Sequence, residues 1–214
     1  MDDRALKDKV VLAMLPNVPF EGWSWRTLLR AARRVELTEA ELGSLFPRGV
    51  RDAVAAFSDW ADRETEATLA KRHLSRLKLR ERVALGIRAR LDVLEPHREA
   101  VRRMLAFLAL PANLTLGPRL LYRTVDTLWH AAGDRASDFS FYTKRGLLAG
   151  IYAATTLYWL DDKSPDHVAT AAFVDRRIDD AMRIPKLRER TKAALAILPR
   201  SLRAFGALAR FRRA

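Results

Sequence analysis

No charged residue stands between Gly146 and Leu160, a run of fifteen. The run falls short of the roughly 20 residues that a membrane-spanning helix needs. It is apolar on nearly every side, so as a helix it is either buried all round or borders an apolar cavity. Gly146, Ala149, Gly150, Ala153 and Ala154 are small. They permit close approach of a second helix or leave room beside this one for a ligand. A cavity wall and a core wall use the same residues, so both readings stay open on periodicity alone.

The rest of the chain is helical in pattern, and alternating strand-like segments are nearly absent. Helices are predicted over Arg4–Leu15, Trp25–Val35, Thr38 to Phe46, Arg51 to about Leu74, Leu79–Leu94, Pro96 to just before Pro111, Leu114–Ala132 and Phe139–Leu160. Thr38 and Glu41 are spaced as a capping box. Ser164-Pro165-Asp166 opens a ninth helix that Pro185 is expected to end near Met182. A last stretch begins at Leu187, and Pro199 must kink or divide it. With 214 residues, 49% hydrophobic and 30% charged, the chain is long enough to bury its own core. It has no cysteine, which excludes disulfides, thiolate metal sites and thiol nucleophiles. The expected division is a head over 1–50, a helical body over 51–184 and a tail over 185–214.

The head resembles the DNA-binding unit of TetR-type repressors in helix count and lengths. A recognition helix presents cations or amides to bases and phosphates. Here the third helix offers Glu39, Glu41 and Ser44, with no basic residue between Thr38 and Leu45. The head is therefore read as a packing unit that does not bind DNA, and no nucleic-acid partner is expected. The alternative is a TetR-type ligand-responsive regulator that uses Arg30, Arg33 and Arg34 as phosphate contacts.

Of the formal net charge of +13, +8 lies in residues 186–214. In that tail Leu195, Leu198, Leu202 and Phe205 fall on one helical face, and Arg203 and Arg210 lie largely away from it. Fully burying a Leu or Phe is worth roughly 1.5–3 kcal/mol, and each cation at an anionic leaflet adds about 1 kcal/mol. Partial insertion then suffices for reversible surface binding. The start, Met1-Asp2-Asp3, lacks the basic and then apolar pattern of a signal peptide. A cytoplasmic protein, peripherally attached to the inner face of the membrane, is expected.

Longer motifs carry a family resemblance. Asp138-Phe139-Ser140-Phe141-Tyr142-Thr143-Lys144-Arg145, Leu147-Leu148-Ala149-Gly150-Ile151-Tyr152, Asp162-Lys163-Ser164-Pro165-Asp166, the stretch from Phe173 to Met182, and Pro96-His97-Arg98-Glu99-Ala100-Val101-Arg102 closely resemble the ninth-numbered coenzyme Q biosynthesis protein family. The resemblance implies an all-α, TetR-family-like helical bundle with a helix-turn-helix-like head and a C-terminal amphipathic helix. It also implies a homodimer without enzymatic activity or cofactor. Such a protein binds isoprenoid lipid or ubiquinone intermediates and presents them to the demethoxyubiquinone hydroxylase, either a di-iron or a flavin enzyme. Leu128, Trp129, Phe141, Tyr142 and Arg145 are the implied hydroxylase contacts, although the family usually carries Trp where this chain has Phe141. Leu147, Leu148, Ile151, Tyr152 and Thr155 are the candidate lipid-pocket residues, and Leu195, Leu198, Leu202, Arg203, Phe205 and Arg210 the candidate membrane contacts.

Chemistry of other kinds is missing from the pattern. His73, His97, His130 and His167 are far apart and form no metal-ligand pair at i, i+4. Asp161-Asp162 and Asp179-Asp180 are adjacent, and helical neighbours point in different directions. No Gly-rich phosphate cradle and no nucleophile elbow occur. No catalytic residue and no metal site are expected.

Overall fold

The computed structural model describes the backbone of residues 2–72, 74–133 and 140–197, with side chains through Met182 except those of Ser75 and residues 140–144. Among the described residues there are ten α-helices and no strand. α1 (Asp3–Met14) starts on Asp2, whose carboxylate accepts from the Arg4 N–H at 3.2 Å. α2 (Val18–Glu21) is a single turn with Pro19 at its start, in a segment where the sequence predicts only a break. A proline at the first positions of a turn loses no hydrogen bond. α3 (Trp25–Arg34) is capped by Ser24, and α4 (Glu39–Leu45) has the predicted capping box. There the Thr38 hydroxyl accepts from the Glu41 N–H at 3.3 Å and the Glu41 carboxylate accepts from the Thr38 N–H at 2.8 Å.

α5 (Val50–Ala70) stops four residues before the predicted end, and a 3-10 turn over Leu74–Arg76 leads to α6 (Leu79–Leu94). α7 (Arg98–Leu108), α8 (Leu116–Ala131) and α10 (Val168–Ile197) each follow a proline-led 3-10 turn. Pro96 and Pro165 thus set the turn before a helix rather than the helix itself. α9 is Ser140–Asp161. α10 continues through Pro185, where the sequence predicts an end. The proline removes one backbone donor from the helix without ending it.

By compactness the chain divides into one unit ending at Val174 and another beginning at Asp175. In the first, head and body share a core. Val10, Met14, Leu28, Leu42 and Phe46 are fully or almost fully buried, as are Val54 and Phe57 on α5. The Trp23 indole N–H donates to the Ala100 carbonyl of α7 at 3.0 Å, and its ring lies 5.5 Å from that of Phe57.

α9 is held at its C-terminal end, where a helix leaves carbonyls without partners. Arg98 donates to the carbonyls of Trp159 and Asp162, and Arg102 to that of Leu160. Trp159, 1% exposed, donates its indole N–H to Glu95 at 2.8 Å. Asp162 then fastens the next segment by accepting from the Ser164 N–H and the Thr170 N–H, each at 2.8 Å, and from the Thr170 hydroxyl. Burial alone would push the Asp162 carboxyl up; the hydrogen bonds from Thr170 and Ser164 outweigh it and hold the group well below the usual carboxylate range. The helix is not buried all round. Leu148, Tyr152, Thr155, Thr156 and Trp159 form its inward stripe, whereas Leu157 is 60% exposed and Tyr158 is exposed too.

Candidate functional site

Helices α5 to α9 surround a cavity of about 360 Å³. Its walls include two small residues, Ala153 on α9 and Gly117 on α8, and a Cβ added at Gly117 would lie 3.8 Å from that of Leu108 on α7. Val101, Met104, Leu105 and Leu108 come from one face of α7, at spacings of three, one and three. Leu120, Leu121, Tyr152 and Leu157 complete an apolar lining. Depth along it is marked by exposure: Phe57, Leu94 and Val101 are buried, while Leu157 reaches the surface. Pockets of this kind, mostly apolar with a few placed polar groups, run from ~300 to 1,000 Å³ in proteins that bind small molecules. This one has room for a ring and the first part of a chain, and a longer chain must leave by the open side.

The placed polar groups are Arg90, Ser58 and Thr124, with Asp62 behind them rather than in the lining. Arg90 of α6 is 3% exposed and Asp62 of α5 is 5% exposed. Arg90 Nη2 stands 3.1 Å from Asp62 Oδ1 and donates to the Ser58 carbonyl at 3.3 Å. Thr124 of α8 donates its hydroxyl to the same Asp62 oxygen at 2.9 Å. Burial pushes the Asp62 carboxyl up, and the Arg90 charge and the Thr124 hydrogen bond offset only part of that. Arg90, Ser58 and Thr124 line the cavity.

Of the candidate pocket residues, Tyr152 lines this cavity. Leu148 and Thr155 are buried on the same helix and Leu147 and Ile151 half-buried, but none of the four is part of the lining. Of the candidate hydroxylase contacts, Leu128 and Trp129 are buried. Arg145, 8% exposed, is paired with Asp126 through Nε at 3.0 Å and Nη2 at 2.7 Å. The side chains of Phe141 and Tyr142 lie outside the described residues, as do that of Leu195 and the whole of Leu198, Leu202, Arg203, Phe205 and Arg210.

Sequence reasoning missed Arg90, Asp62 and the α7 wall. A signal for the first two exists. Val54, Phe57, Ser58, Ala61, Asp62, Thr65 and Leu69 follow one helical stripe, all buried, and Asp62 is its charged member. Val83, Ala84, Ile87, Arg90, Leu91 and Leu94 do the same on α6. A charge at a core register on each of two neighbouring helices is the mark of a buried pair.

Among the described residues no group of His, Asp or Glu is arranged to hold a metal ion, and no helix is long and apolar enough to cross a membrane.

The COQ9 family model matches residues 114–185, a stretch that includes α8, α9 and the start of α10. A Xenopus laevis protein named ubiquinone biosynthesis protein COQ9-B, mitochondrial, is 33% identical over 187 residues, covering 84% of this chain and 64% of that protein. The Homo sapiens ubiquinone biosynthesis protein COQ9, mitochondrial, is 30% identical over 198 residues, covering 89% of this chain and 62% of its own length. The chain thus spans a little under two thirds of these relatives. A TetR transcriptional regulator from Nitrosomonas europaea ATCC 19718 matches in structure, with a TM-score of 0.66, 22% sequence identity and coverage of 83% of this chain and 98% of that one. That likeness is one of fold, and the fold is all-α and TetR-like.

Proposed function

The chain belongs to the COQ9 family, and from that membership we propose that it is a non-enzymatic, lipid-binding accessory protein of ubiquinone biosynthesis. It binds an isoprenoid quinone intermediate in the cavity between α5 and α9 and hands it to the ring hydroxylase at a membrane surface. The observation that carries this reading is the apolar cavity of about 360 Å³, two of whose walls, α8 and α9, fall in the segment that the family model matches. An apolar tail gains by leaving water for such a lining.

The remaining parts of the proposal rest on sequence. The basic amphipathic tail, with Leu195, Leu198, Leu202 and Phe205 on its apolar face, attaches the protein reversibly to the inner face of the membrane. Two copies form a homodimer. The corner between α8 and α9 receives the hydroxylase. By sequence, Phe141 and Tyr142 make the contact; the other three positions, Leu128, Trp129 and Arg145, are buried, and Arg145 is paired with Asp126. An Arg145→Glu change would set a carboxylate against Asp126, so Tyr142→Ala is the cleaner probe of that surface.

Depletion of the protein from its own cells tests the reading. Ubiquinone should fall and the precursor awaiting ring hydroxylation should accumulate. The full chain should restore ubiquinone and float with anionic liposomes, whereas a chain ending at residue 186 should do neither. Unchanged ubiquinone in depleted cells would contradict the proposal, and flotation of the shortened chain would contradict the role of the tail.

A further inference from the structure

The cavity reaches the surface at the two exposed members of its lining, Ala109 at the end of α7 and Leu157 of α9. A loop over residues 109–115 stands beside that opening. Leu108 before it and Gly117 after it both line the cavity, close enough that a Cβ at Gly117 would touch that of Leu108. The loop carries Leu110, 52% exposed, and Leu114, 58% exposed.

A lone exposed leucine says little, but these two are held in water by a fastened loop. Asn113 is buried between them in the chain. Its backbone N–H donates to the Leu110 carbonyl at 2.8 Å, and its side-chain amide to the Phe107 carbonyl at 2.9 Å. Arg51 of α5 donates to the Ala112 carbonyl. Turning the loop inward would break these bonds, and a buried amide left unpaired is costly.

Beside the loop, α8 carries Arg119 and Tyr122, both exposed and three residues apart on one helical face. Between Glu99 and Asp126 the chain has four arginines and no acidic residue. Arg102 and Arg103 pair with Glu99, and Arg123 with Asp59. Arg119 has no ion-pair partner among the described residues. Exposed leucines, a tyrosine and an unpaired cation beside an apolar opening suit a bilayer interface. Leucines enter the acyl region, tyrosine sits at headgroup level and arginine meets lipid phosphate. The cargo favours the same occupant. An isoprenoid dissolves in a bilayer, and each methylene that crosses water adds to the cost of loading.

We propose that Leu110, Leu114, Arg119 and Tyr122 form a second membrane contact, separate from the tail, which seats the cavity opening on an anionic leaflet so that the isoprenoid passes directly between bilayer and cavity. This deepens the carrier reading and rests on it.

The test uses the full chain and phosphatidylcholine vesicles containing phosphatidylglycerol. The chain has no cysteine, so Leu110→Cys takes a single environment-sensitive dye. Ala40→Cys, on α4 between Glu39 and Glu41, takes the same dye as a control. On vesicles the dye at 110 should shift to the blue and be quenched by spin-labelled acyl chains, whereas the dye at 40 should still report water. The second readout is uptake of a fluorescent isoprenoid. The triple variant Leu110→Ser, Leu114→Ser and Arg119→Ser changes only exposed side chains. It should float through its tail and fill to the wild-type level from detergent. From vesicles it should load at least ~tenfold more slowly, the order of effect expected for withdrawing two half-inserted leucines. A dye at 110 that stays in water on floating protein, or equal loading by the variant, would overturn the proposal while leaving the cavity as a lipid site. Wild-type protein that takes up no isoprenoid even from detergent would remove the carrier reading, and this proposal with it.

Discussion

Ala153→Phe will strip the protein of bound isoprenoid lipid while leaving it folded. Ala153 of α9 lines the cavity. A phenyl ring placed there takes up much of a space of about 360 Å³ that the proposal assigns to a quinone ring and the start of its tail. The expected loss of lipid is at least ~tenfold, more than about 1.4 kcal/mol of binding. Enlarging a core residue usually costs stability, because a packed interior has no room for it. Here the room exists, so the melting temperature should hold or rise. Lipid extraction of the purified variant beside a thermal melt checks both halves. A variant that retains the wild-type lipid content would show that the ligand lies elsewhere.

The second large effect is on stability. Trp159→Ala should cost about 3–5 kcal/mol, the usual range for truncating a buried Trp or Phe. Trp159 is buried at the end of α9, its N–H is bonded to Glu95, and the Arg98 guanidinium lies 5.4 Å from its ring centre. That loss is a large share of the ~5–15 kcal/mol that holds a typical domain folded. Trp159→Phe keeps the ring volume largely and gives up the indole N–H, so it should cost about 1 kcal/mol. Glu95 is still met by His167 Nε2 at 3.0 Å. Urea unfolding separates the two variants, and a cost below about 1 kcal/mol for Trp159→Ala would show that α9 is not anchored there.

Much of the fold is legible in the residues, since helical periodicity and caps are local signals. The Thr38–Glu41 box and the α6 limits at Leu79 and Leu94 appear where the pattern places them. Prolines are harder to read. Pro19 stands at the start of a turn, where its missing donor costs nothing, whereas Pro185 lies within α10, where that donor is lost and the helix nonetheless continues. The apolar run of α9 announces a cavity or a core without saying which, and the structure combines the two. Tyr152 lines the cavity, Leu148 is buried beside it, and Leu157 reaches the surface. The Arg90–Asp62 pair was hidden for a different reason. Each charge on its own looks like an ordinary surface residue, and only packing α5 against α6 reveals that both face inward.

The account stands or falls on what fills the cavity between α5 and α9. Mass spectrometry of the lipids extracted from the purified full chain, compared with the Ala153→Phe variant, tests it directly. The account predicts a quinone or another isoprenoid lipid, near one per chain in the wild-type protein and depleted in the variant. A wild-type extract without any isoprenoid lipid would contradict it.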